Sequence, residues 1–169
     1  MSIGSKPPKI IPNLEKAVQW VRNYKNRGLE VVFTNGCFDC LHPGHIFSLE
    51  FAKNTGDILI VGLNSDRSIR KIKGPGRPVM DEISRLKLIS ALEMVDHVIL
   101  FEEKDPCELI EKILPDVLVK GEEYKKEEVA GWGVVEANGG KIILHPRLSD
   151  HSTTHWISKI QSQKYDQNK

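Results

Sequence analysis

The sequence predicts a doubly wound, Rossmann-like α/β domain, with a parallel sheet of about five strands and helices on both faces. Three observations predict it. Short β-branched apolar runs alternate with longer helical stretches along the chain. Caps and breakers fall between them at the expected places. No internal repeat or second composition regime interrupts the alternation. Residues 13–169 therefore read as a single domain behind an N-terminal arm, residues 1–12, which carries three prolines and little structure of its own.

Taken in order, "NLEKAVQWVRNYKNRG" reads as a helix from an Asn13 cap to a Gly28 stop, with Leu14, Val18 and Val21 on one face. "EVVFT" reads as the first buried strand. "PGHIFSLEFAKNTG" opens on Pro43, well placed as a first helical residue because its missing N–H would be unpaired there anyway. "DILIVGLN" is a second strand, and residues 65–80, rich in Arg, Lys, Gly and Pro, read as loop. "DEISRLKLISAL" is a helix capped by Asp81 or Ser84, and "DHVILF" a third strand. "DPCELIEKIL" is a helix and "DVLVK" a fourth strand. Residues 125–140 hold a weaker helix, "KIILH" is a fifth strand, and "STTHWISKIQSQ" is a final helix.

The 169 residues suffice for one domain with a real core. A formal net charge of +1 gives no general electrostatic grip on nucleic acid or a membrane surface. No apolar run reaches bilayer-spanning length, and the N-terminus lacks the apolar core of a secretory signal. With an odd number of cysteines, three, this predicts a cytoplasmic protein with reduced thiols.

The densest chemistry lies in "NGCFDCLHPGH", residues 35–45, just beyond the first strand. Structural zinc usually takes two separated ligand pairs. Here Cys37, Cys40, His42 and His45 crowd into one short turn, with a proline after His42, which disfavours zinc. A redox C-x-x-C places its first cysteine at a helix N-terminus. Pro43 starts the helix after both cysteines, which disfavours that reading too. The third reading uses the histidines. A helix N-terminus offers free N–H groups and positive dipole to an anion, and two imidazoles there can donate to phosphate oxygens. Spacing alone leaves this level with a purely structural pair of turn histidines.

The surrounding residues add a resemblance. "HPGH" after a strand ending in "TNGCFD" resembles the H-x-G-H signature of the cytidylyltransferase-like nucleotidyltransferases. The likeness runs from about residue 29 to 161 through "NSD", "KGPGRPV", "ALEMVD", "ILPDVLVKGEEY", "NGG" and "STT". Within the family it is closest to the adenylyltransferases of D-glycero-β-D-manno-heptose 1-phosphate. No sugar-kinase half precedes it, so the stand-alone form is expected. The resemblance implies transfer of AMP from ATP to the sugar phosphate, giving ADP-heptose and pyrophosphate, a step towards the lipopolysaccharide core. "RLSDHSTT", with Arg147 five residues before Ser152, instead resembles the glycerol-3-phosphate cytidylyltransferases. The alternative is therefore CTP with glycerol 3-phosphate or a related polyol or sugar phosphate.

By the same resemblance, His42, His45 and Lys73 are expected to be catalytic. Thr34, Asn35, Gly36, Cys37, Phe38, Gly44, Lys120, Gly121, Arg147, Ser152, Thr153 and Thr154 are expected to bind nucleotide. Asp39, Asp66, Arg77 and Arg85 are expected to bind the acceptor, although Asp39 could simply stabilise a turn and Arg85 could form an ion pair. Mg²⁺ is expected to arrive with the nucleoside triphosphate, because no cluster of carboxylates offers a cage. A homodimer is expected by resemblance.

Overall fold

The computed structural model describes residues 9–146 and 153–166. Strands and helices alternate: β1 (Ile10–Ile11), α1 (Leu14–Asn26), β2 (Val31–Gly36), α2 (Pro43–Lys53), β3 (Ile58–Asn64), α3 (Asp66–Lys73), α4 (Glu82–Ala91), β4 (His97–Phe101), α5 (Cys107–Ile113), β5 (Val117–Gly121), α6 (Trp132–Ala137), β6 (Lys141–His145) and α7 (Thr153–Asp166). All strand pairs are parallel, in the order β1-β4-β3-β2-β5-β6. β2 has β3 on one side and β5 on the other, so the order reverses beside β2. Ligands of doubly wound sheets bind beyond the carboxyl ends of the strands at that reversal.

Two apolar layers cover the sheet. Phe33, Ile60 and Leu118 face α1, α5 and α6, where Val21, Ile110 and Val135 meet them. Val32, Leu59, Val61 and Val119 face α2 and α4, with Leu49 and Ile89. Because side chains alternate along a strand, neighbours such as Val32 and Phe33 enter opposite layers. Phe33 is fully buried, which contributes about 2–3 kcal/mol. It lies over Gly62 of the adjacent strand, where a Cβ would stand 2.7 Å from its Cζ.

The structure corrects the sequence expectation in three places. The sheet has six strands, since Ile10–Ile11 of the supposed arm pairs with Val98–Ile99, and the Lys9 ammonium donates to the Leu92 carbonyl at 2.7 Å. Asp66–Lys73, expected as loop, is helix α3, capped by the Ser65 hydroxyl accepting from the Ser68 amide and ended by Gly74 at φ 90°. The weak helix over 125–140 is divided into a 3₁₀ turn at Lys126–Glu128 and α6, because Gly131 turns the chain left-handed at φ 84°. No described helix is long and apolar enough to cross a membrane.

Candidate active site

Beyond Gly36 the chain leaves β2 in a tight loop with Phe38 and Cys40 at φ 46° and 60°. Left-handed conformation costs a non-glycine residue about 1–2 kcal/mol, so the loop needs an anchor. Asp39 supplies it. Its fully buried carboxylate accepts from the Val79 and Met80 amides at 2.9 and 3.0 Å and pairs with the Arg77 guanidinium at 2.7 Å. Burial opposes ionisation, but these donors hold the carboxyl below its ordinary range. The Asp39 carbonyl accepts from the Thr153 hydroxyl at 2.8 Å, which ties the start of α7 to the same loop.

A second anchor is Arg85 of α4, 0% exposed. Its guanidinium donates to the carbonyls of Cys37 (2.8 Å), Asn64 (2.7 Å) and Met80 (3.0 Å) and to the Asp66 carboxylate (2.7 Å). The five N–H groups of an arginine fork suit such a joint, where lysine could not reach all four segments. Asp39, Asp66, Arg77 and Arg85, expected at the acceptor, are thus brought together but bonded to one another and to the backbone. They shape the loops around the cleft.

His42 then caps α2 with extended backbone, and Pro43 and Gly44 begin the helix. The His42 and His45 rings stack, with centroids 3.7 Å apart and planes at 21°. Phe38 closes the other side of His45 at 5.1 Å. Burial, then the proximity of His42 and Lys73, pushes the His45 imidazole down to about 3, so it is neutral near pH 7. Its Nδ1 is buried without a partner. The rings stand at the α2 N-terminus and line a cleft of about 770 Å³ with Thr34, Gly44, Lys73 and Thr153. A neutral imidazole there can donate one hydrogen bond to an oxygen that is gaining charge.

The opposite wall comes from β5 and its following loop. The Lys120 ammonium lies in the cleft and donates to the Asn35 carbonyl at 3.1 Å. It sits 5.9 Å from the Tyr124 ring centroid. Burial pushes its amine down to about 8. Cys37 is half-buried, and burial raises its thiol above the ordinary range, as it does for Cys40. Both changes disfavour the thiolate that redox or metal chemistry requires. No group of three or more His, Cys, Asp and Glu is placed to hold a metal ion among the described residues.

Asn35, Gly36, Cys37, Phe38, Lys120 and Gly121, expected to bind nucleotide, all line the cleft. Arg147 and Ser152 lie outside the described residues, and Thr154 is described only as part of the α7 backbone. Sequence reasoning missed Ser48, Asn64, Lys104, Asp105, Pro106, Tyr124 and His145, which also line it. Their signal was position. Asn64 and His145 end strands, and Asp105 and Tyr124 follow strand ends, where the reversal rule places ligands.

A crevice at the reversal of a doubly wound sheet, lined by paired imidazoles at a helix N-terminus, is a site where such α/β domains can take an anionic ligand. The model of the cytidylyltransferase-like family matches residues 33–157, and the chain belongs to that family. It is 46% identical over 156 residues to the Bifunctional protein HldE of Azorhizobium caulinodans, covering 92% of this chain and 33% of the relative. It is 47% identical over 150 residues to that of Methylobacillus flagellatus, covering 89% and 31%. The chain thus spans about a third of the length of these curated relatives. Among solved structures, a lipopolysaccharide core biosynthesis protein from Thermoplasma volcanium superposes with a TM-score of 0.59 at 33% identity, covering 74% of this chain and 100% of that one. A pantoate-beta-alanine ligase from Francisella tularensis, at 19% identity with a TM-score of 0.57 over 81% and 66% of the two chains, shares the fold.

Proposed function

We propose that the protein transfers AMP from ATP to D-glycero-β-D-manno-heptose 1-phosphate, releasing pyrophosphate and forming ADP-heptose. The observation that carries this is the stacked pair His42 and His45 at the mouth of α2. Identity of 46–48% to the Bifunctional protein HldE relatives and the run of family motifs support adenylyl transfer to the heptose, and these relatives do not favour the CTP-dependent alternative.

An acceptor phosphate oxygen attacks the α-phosphorus, the bond to the α–β bridging oxygen breaks, and pyrophosphate leaves with the electron pair. No covalent nucleophile is required. The imidazoles donate to oxygens whose charge grows along this path. Lys73, exposed at the end of α3, adds positive charge beside them, and Thr153 at the start of α7, which lines the same cleft, is assigned to the distal phosphates. The Asp39 carboxylate is saturated with donors, and among the described residues no group of three or more His, Cys, Asp and Glu could hold a metal ion. Mg²⁺ arriving with the triphosphate would neutralise its charge.

The test is pyrophosphate release from four nucleoside triphosphates against sugar and polyol phosphates, repeated with His42→Ala and His45→Ala. ATP with heptose 1-phosphate is expected to be preferred. Either substitution is expected to lower kcat by roughly 10²–10³-fold, the scale for losing one preorganised donor, with a much smaller change in nucleotide KM. Preference for CTP and glycerol 3-phosphate, or near-normal kcat in His45→Ala, overturns the proposal.

A further inference from the structure

One end of the cleft has a chemistry that phosphate does not explain. The Asn35 Oδ1 is buried with no hydrogen-bond partner. The second group is the Lys120 ammonium, whose one recorded bond goes to the Asn35 carbonyl and which has further N–H donors to give. Asn35 thus has an unfilled acceptor on its side chain, and the Lys120 ammonium bonded to the Asn35 carbonyl has donors to spare, both at the β2–β5 reversal.

The neighbouring groups narrow the ligand. Asp105, Glu123 and Glu128 line the same cleft. The Glu123 carboxylate folds back over Gly121 into space that any Cβ there would occupy. The Asp105 carboxylate accepts from the Cys107 amide at 3.0 Å, and that of Glu128 from the Lys125 amide at 3.2 Å. Each carboxylate has further lone pairs to offer. A phosphate placed here would meet carboxylates and the Asn35 oxygen, so anions are disfavoured. A hydroxyl both donates and accepts, which suits the Asn35–Lys120 pair. Tyr124, 44% exposed, presents an aromatic ring at the rim, a surface on which the apolar C–H face of a sugar ring can pack.

We propose that Asn35, Lys120, Glu123 and Tyr124 form the subsite that reads the hydroxyls of the acceptor sugar. The phosphate end, with His42, His45 and Lys73, reads only its phosphate. This rests on the nucleotidyltransferase reading above and moves Asn35 and Lys120 from the nucleotide to the acceptor.

The test is calorimetric titration of the protein, saturated with a non-hydrolysable ATP analogue, with heptose 1-phosphate, mannose 1-phosphate, glycerol 3-phosphate and inorganic phosphate. The variants are Lys120→Met, Asn35→Leu, Asn35→Asp and Tyr124→Ala, each checked for a wild-type circular dichroism spectrum. Lys120→Met and Asn35→Leu are expected to weaken sugar phosphate binding by about 10-fold or more, the scale of a hydrogen bond to a charged donor. Asn35→Asp, which keeps the acceptor, restores most of it. Inorganic phosphate and the ATP analogue bind the variants within about twofold of wild type. Tyr124→Ala, at an exposed site where folding is little at risk, weakens the sugar phosphates alone.

If the variants weaken the ATP analogue and spare the sugar phosphates, the pair reads the ribose and the proposal is overturned. Unchanged sugar phosphate affinity, or no sugar phosphate binding by the wild type, also overturns it. If the wild type selects another sugar phosphate and the same variants weaken that one, the heptose assignment fails while the subsite stands.

Discussion

The neutral state of His45 makes the protein sensitive to acid in a way that one substitution can isolate. The ring is pushed down to about 3 from the ordinary 6.5, chiefly by burial against Phe38 and His42. The unfolded chain takes up a proton below pH 6.5 that the native ring refuses. Stability is therefore complete above 6.5 and is lost as pH falls towards 3, by about 1.4 kcal/mol for each pH unit. At pH 5 the loss from this residue is about 2 kcal/mol. His45→Gln keeps a polar side chain and removes the titration. Urea unfolding of both proteins at pH 7.5, 6 and 5 is the measurement. The wild type is expected to lose about 2 kcal/mol more than the variant between the extremes. Carboxylates such as Asp39 titrate alike in both proteins and cancel. Parallel pH curves for the two proteins would refute the claim that His45 is neutral because it is buried.

Two further substitutions test the frame and the opposite wall. Asp39→Asn leaves the Arg77 guanidinium without its carboxylate in a mostly buried site, and is expected to cost about 3 kcal/mol in denaturant unfolding and to raise nucleotide KM as the 77–80 segment loosens. Lys120→Met acts in the opposite sense on stability. The amine is pushed down from 10.5 to about 8, so below pH 8 the native state bears a poorly solvated charge. The variant is expected to be more stable at pH 7 by up to about 3 kcal/mol. That advantage should shrink as pH rises from 8 towards 10.5, where the wild type sheds its proton first.

Much of the architecture was legible because buried parallel strands write themselves as unbroken apolar runs. "DILIVGLN" and "DVLVK" could hardly be anything else. Ile10–Ile11 escaped because a two-residue strand carries no periodicity, and its pairing with Val98–Ile99 depends on where β4 lies. Helix α3 escaped because its outer face is Arg and Lys, leaving only Ile69 buried among apolar positions, although Ser65 followed by Ser68 was a usable cap. In the cleft, the imidazole pair was picked out by family likeness, since spacing alone left a structural role equally open, and the strand-end residues Asn64 and His145 were not picked out. Nor was the engagement of Asp39 and Arg85. The partners of the Asp39 carboxylate and of Arg85 stand up to 41 and 48 residues away, and a sequence does not say whether a charged group spends its bonds on a ligand or on the protein.

The reversal of strand order beside β2 has a consequence for how such a protein can diversify. The imidazoles, Lys73 and the Arg85 joint all come from the stretch before β4, whereas Lys120, Glu123 and Tyr124 follow at the end of β5. Except for Asn35 on one side and Thr153 on the other, the two walls are written in separate passages of the chain. Insertions or replacements between Glu122 and Val129 reach one wall and leave the other intact. Under the proposed function, changes in that short passage would alter the proposed acceptor subsite while leaving the His42–His45 pair in place.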